Sequence, residues 1–254
     1  MAGVSAWYLH QRRHRDLAQR TLRVAMVVGL ITSALLLPIG HWHAVQVAKT
    51  QPEKLAAFEG LFTTQRQAPL TVFGLPDPDR GVVLGAVRVP GMLSLLISGD
   101  QATEVKGLNE LPRDEWPPVR TSFVSFHLMF LLGMYFILVT GIGVFLLWRQ
   151  KLFTARPFLK LVILSTPLPV VACELGWIAA EVGRQPWIVY RVPGMRTAEA
   201  VSPSVSAGEI SASILMFAII YFILGLSWLL LMRRQIMQGP EDVPSANEGQ
   251  EVPA

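Results

Sequence analysis

Long apolar runs alternate with polar stretches along this chain, and run length sets the first expectation. Residues 21–39, 122–148, 158–182 and 211–232 form four runs, each long enough to cross a bilayer as a helix of about 20 residues. Between the first and second lies 40–121, polar and rich in Pro and Gly, with no run of that length. A loop so long is seldom filler, which points to a binding role. Within it PEKLAAFEG, from Pro52 to Gly60, reads as a short amphipathic helix, and APLTVFGLPDPDRG as extended chain broken by turns. Pro38 and Gly40 are expected to close the first span, and Pro167 and Pro169 to bend the third, because proline lacks a backbone donor and crowds the preceding turn. The other divisions are a basic segment over 1–20, a connection over 149–157, a second outer loop over 183–210 and a polar tail over 233–254 expected to be disordered. The predicted fold class is an all-α membrane protein, a four-transmembrane-helix bundle with a long outer loop.

Composition agrees with this. The chain is 52% hydrophobic and 16% charged, with a mean hydropathy of +0.42, which excludes an ordinary soluble domain. The net charge of +4 comes with no aromatic-interleaved basic stripe, so nucleic acid is not an expected partner. Instead the cations report topology. Arg12, Arg13, Arg15, Arg20 and Arg23 precede the first span; Arg149, Lys151, Arg156 and Lys160 surround the short connection; Arg233 and Arg234 follow the last span. Basic flanks of this kind stay cytoplasmic, which sends the two longer loops outward. The apolar run after the first basic group shows no small-residue cleavage site and is read as a retained span, not a secretory signal. The single cysteine, Cys173, permits no intrachain disulfide and is expected to pack as a small residue.

The third run carries the chemistry. Glu174 and Glu181 lie seven residues apart, close to two helical turns, so both are expected on one side of the helix. Carboxylates at membrane depth are costly and persist mainly where they bind an ion, relay a proton or ligate a cofactor. The alternative for Glu181 is a simple ion pair with Arg184 one turn on.

Taken together, PEKLAAFEG, SFHLMF and ELGWIAAEVGRQPW resemble subunit I of the cytochrome bd quinol oxidases, in order and in approximate spacing. The resemblance covers the family's quinol-binding outer loop and last four membrane helices, with Met1–Leu9 matching the tail of a preceding helix. It implies that Lys54 and Glu59 interact with quinol; because quinol oxidation sheds protons, Glu59, on a wet loop near the cationic Lys54, is the expected proton acceptor. It implies Met129 as an axial ligand to low-spin haem b, Glu181 as a ligand to high-spin haem b, and Glu174, Trp177 and Arg184 as lining of the haem pocket. His127 stands where many members of the family carry arginine. The family's histidine ligands belong to earlier helices, and none of His10, His14, His41, His43 and His127 sits in their context. The implied partners are therefore a chain bearing those helices and histidines, the second oxidase subunit, membrane lipid and quinol. The implied activity is that of a quinol:oxygen oxidoreductase in a bacterial or archaeal cytoplasmic membrane, with the isolated chain inactive and the choice of haem d or haem b at the oxygen site left open. A non-catalytic scaffold of the same complex is the competing reading, and a transporter the weaker third.

Overall fold

The computed structural model describes residues 1–240, so the expected tail over 241–254 lies outside the described residues. The apolar runs fold as helices longer than the runs themselves. The elements in order are α1 (Ala2–Gln11), α2 (Arg15–Thr50), α3 (Pro52–Glu59), β1 (Gln65–Arg66), β2 (Leu70–Asp77), β3 (Val82–Val89), α4 (Met92–Ser98), β4 (Glu104–Val105), α5 (Val119–Trp148), α6 (Arg156–Leu164), α7 (Leu168–Val182) and α8 (Ala207–Gln238). Among the described residues, α2, α5, α6 with α7, and α8 give four helical stretches long and apolar enough to cross a membrane.

Several boundaries differ from expectation. Residues 1–20 hold a helix with a buried face, α1, and the start of α2. The first span does not close at Pro38 and Gly40; α2 runs through both to Thr50. One proline costs one helical bond, which the following turns outlast. The stop comes at Pro52, which forces Gln51 out of the helical region to φ −142° and opens α3 at its first position. Residues 40–50 and 119–121 thus belong to helices, not to the loop. Pro167 and Pro169 divide the third span into α6 and α7. The last helix continues past Met232 to Gln238, so the first residues of the expected tail are helical.

Among the described residues, two apolar cores hold the fold together. One joins α1, α2, α5 and α6 through Ala6, Leu9, Leu22, Met26, Val139 and Phe158. The other gathers α3, the loop and the start of α5 around Leu55, Leu61, Val83, Leu108 and Phe123. In the loop, β2 and β3 form an antiparallel hairpin and β1 pairs with β4. Gly107 lets the loop cross itself, since a Cβ there would collide with the backbone of Thr63 and Thr64.

α8 stands apart from this packing, its central window unburied. Its ties lie at its C-terminal end: the Tyr8 hydroxyl donates to the Ile236 carbonyl (2.8 Å), Arg13 donates to the Met237 carbonyl (3.3 Å), and Gly239 abuts the His14 ring. With α1 also packed on α6, the three basic groups share one end of the molecule.

Candidate functional site

The site is built where α3 lies against the ends of α5 and α7. α3 ends at Gly60 in the left-handed region (φ 61°), with the Leu61 amide donating back to the Ala56 carbonyl at 2.8 Å, a glycine stop that sends the chain on toward the hairpin. Phe58 stacks on Phe126 of α5 with centroids 4.6 Å apart. It also fills the space that a side chain at Gly183 would need. These contacts bring the first turn of α3 to the end of α7. There Lys54 Nζ donates to the Ala180 carbonyl at 3.0 Å, one of the four carbonyls that α7 leaves without a helical partner.

Lys54 is half-buried; desolvation and then the Arg184 guanidinium push its pKa down, against an opposing pull from Glu181. Glu181 is paired with Arg184, so the ion pair expected as the alternative to a ligand role is present. Lys54, Glu181 and Arg184 form one cluster of alternating charge.

Glu59 occupies different surroundings from those expected. It is 4% exposed, not on a wet surface, because β2 covers it. The Thr71 amide donates to Glu59 Oε2 (3.2 Å) and the Thr71 hydroxyl to the Glu59 carbonyl (2.8 Å). Burial pushes its carboxyl up to about 8, only partly offset by the Thr71 amide. A protonated carboxyl donates a hydrogen bond and does not take up a proton, so the acceptor role on a wet loop is not what this environment favours at neutral pH. His127 completes the arrangement from α5: Nε2 lies 2.8 Å from the Thr71 carbonyl and Nδ1 2.9 Å from the Phe123 carbonyl.

Met129 is half-buried on α5 and faces α7. A Cβ at Gly176 would lie 2.8 Å from its sulfur, so the glycine makes room for the thioether. Glu174 and Trp177 are exposed on α7, as is Cys173, which does not pack internally as expected. Glu181, by contrast, is half-buried, so the two glutamates do not share an environment. Among the described residues no three His, Cys, Asp or Glu side chains converge as a metal site.

The 183–206 connection adds residues that sequence reasoning passed over. Arg191 donates to Glu53 Oε1 at 3.0 Å, and Arg196 bridges Asp114 (3.0 Å) and Glu115 (2.7 Å). Burial, then the facing Glu53 carboxylate, push the Tyr190 phenol up. The available signal was slight: PEKLAAFEG carries two glutamates, and the family resemblance assigns a role only to the second, Glu59.

The family model described as cytochrome bd terminal oxidase subunit I matches residues 1–240. A cytochrome bd ubiquinol oxidase subunit 1 of Bacillus subtilis is 35% identical over 98% of this chain and 56% of its own length. A candidate cytochrome bd menaquinol oxidase subunit I of the same organism is 36% identical over 95% of this chain and 54% of its own. The solved bd oxidase of Geobacillus thermodenitrificans superposes with a TM-score of 0.85 at 32% identity, over 94% of this chain and 54% of that one. The chain thus spans about half the length of the relatives it matches.

Proposed function

The chain belongs to the cytochrome bd terminal oxidase subunit I family, and from that premise we propose that it works as a membrane part of a bd-type quinol oxidase, where its loop takes quinol and its helices help hold haem. The observation that carries the reading is the contact of Lys54 with the end of α7, beside Glu181 and Arg184. It joins the loop to which the family resemblance assigns quinol with the helix to which it assigns a haem ligand.

The residues suit the groups they would hold. Met129 offers a neutral sulfur in a gap kept by Gly176, the ligand type that raises a haem's potential and suits an electron entry point. Glu181 offers a carboxylate steadied by Arg184. Each would give one bond, Met129 to low-spin haem b and Glu181 to high-spin haem b; further ligands would come from a chain bearing the family's histidines, beside the second oxidase subunit. Bound haem would supply the one-electron chemistry between quinol and oxygen, with haem d or haem b at the oxygen site. Lys54 would donate to a quinol oxygen. Glu59, held in place by Thr71, would act at neutral pH as a protonated hydrogen-bond donor. Glu174 and Trp177 would wall the haem pocket from the open face of α7, and His127 would brace the hairpin against α5. In this reading 183–206 and the long loop lie outside the cytoplasmic membrane, and the basic end lies within the cell.

A non-catalytic scaffold is favoured by one observation, that Glu181 already has an internal partner. Met129→Leu in the assembled complex separates the two. It is expected to remove the low-spin haem b band from the reduced-minus-oxidised spectrum; an unchanged band overturns the ligand role, and an assembly without haem overturns the oxidase reading.

A further inference from the structure

Between the first turn of α3 and the start of the 183–206 connection lies a narrow cleft lined by Glu53, Lys54, Glu115, Arg184, Gln185 and Tyr190, among others. Three buried polar atoms on its walls have no hydrogen-bond partner: Glu53 Oε2, Arg184 Nε and the Tyr190 hydroxyl. Buried polar groups left unpaired are costly, and an ordered water is the usual remedy. The chemistry of the three atoms suits one. A water can donate to the carboxylate oxygen and the phenol oxygen and accept from the guanidinium N–H, about the three bonds that a buried water typically makes. The free space is on the scale of a single water. Glu53 and Tyr190 face each other closely enough for the carboxylate to perturb the phenol, yet no well-formed bond joins them.

Glu53 also reaches in two directions. Its side chain is 9% exposed, with Oε2 turned to the cleft and Oε1 bonded to Arg191, whose own side chain is 57% exposed. One carboxylate thus connects the wall that Lys54 shares with the outer surface of the loop.

We propose that this cleft holds one ordered water between Glu53, Tyr190 and Arg184, and that water and Glu53 together carry protons from quinol at Lys54 to the outer surface. The step rests on the quinol reading above. Bound haem in the assembled oxidase would be the electron acceptor; on quinol oxidation the quinol O–H bond would break and its proton would join the cleft water. The water passes a proton to Glu53 Oε2, and Glu53 returns to carboxylate by releasing it to solvent at the Arg191 rim. Two electrons and two protons leave each quinol, and the relay ends each cycle unchanged. Glu59 is not placed for this task, since it turns to Thr71 on another side of α3.

The test uses the oxidase assembled with its companion chains. Glu53→Gln keeps shape and removes proton uptake; it is expected to lower quinol turnover about tenfold or more, with haem content and quinol KM unchanged. Glu53→Asp, which restores a carboxylate, is expected to recover part of the rate, and Tyr190→Phe to give a smaller loss than Glu53→Gln. Turnover of Glu53→Gln within twofold of wild type, at full haem content, overturns the relay. A density map of the wild-type assembly in which comparable buried waters are visible is expected to contain an oxygen at hydrogen-bond distance from Glu53 Oε2. An empty cleft in that map overturns the water whatever the kinetics. A wild-type assembly that binds haem but does not oxidise quinol defeats the quinol reading instead, and the two failures are distinct.

Discussion

At the scale of the residue, Glu59 shows how burial alters a side chain's chemistry. Its carboxyl is pushed up to about 8, whereas in the unfolded chain it titrates near the ordinary value of 4.5. Below the lower value both states are protonated and folding is indifferent to pH. Between the two, the unfolded chain sheds a proton that the native state keeps, so stability falls as pH rises, by a few kcal/mol across the window. Above about 8 the loss is complete. Glu59→Gln has no proton to lose, so the thermal midpoint of the wild-type complex is expected to drop relative to that variant between pH 5 and pH 8. Parallel curves for the two would count against a buried neutral carboxyl. None of this was legible locally. Charged residues at helical spacing in a polar loop read as a solvated face, and the cover over Glu59 comes from Thr71, twelve residues on. Glu53 was missed for a similar reason, because its partner Arg191 is 138 positions away.

At the scale of the element, the helices were legible and their ends were not. Run length and composition suffice to indicate a membrane span, because the hydrocarbon core sets a minimum that few other structures need. The ends depend on small choices. In α2, Pro38 costs one bond inside a helix that continues, whereas Pro52 ends it by restricting Gln51. The hairpin was read only as extended chain with turns, and its register was not legible. One residue ties it to two helices: Thr71 bonds to Glu59 of α3 by its amide and hydroxyl, and its carbonyl faces His127 of α5. Thr71→Val keeps the shape and the backbone bonds but leaves the buried Glu59 carbonyl without its hydroxyl donor. The cost is expected to be about 1–2 kcal/mol, seen as faster amide hydrogen exchange across β2 and β3 with α7 unaffected. Equal exchange in both chains would show that the hydroxyl is not a fastening.

At the scale of the whole molecule, the two groups of polar features separate to opposite ends. The basic turn at Arg12–Arg15, the connection near Lys151 and the end of α8 come together through α1, while the hairpin and the 183–206 connection meet around α3. In intact cells with Cys173 replaced by Ser, a cysteine at Asp79 is expected to react with a membrane-impermeant maleimide, and one at Gln150 only after the membrane is opened. The reverse pattern would invert the orientation. The junction of Tyr8, Arg13 and His14 with residues 236–239 also has a mechanical side. Drawn out of a bilayer by a force applied beyond Gly239, α8 cannot begin to unravel until that clasp gives way. The earliest rupture in a single-molecule trace would therefore report on helix α1, some 230 positions distant along the polypeptide.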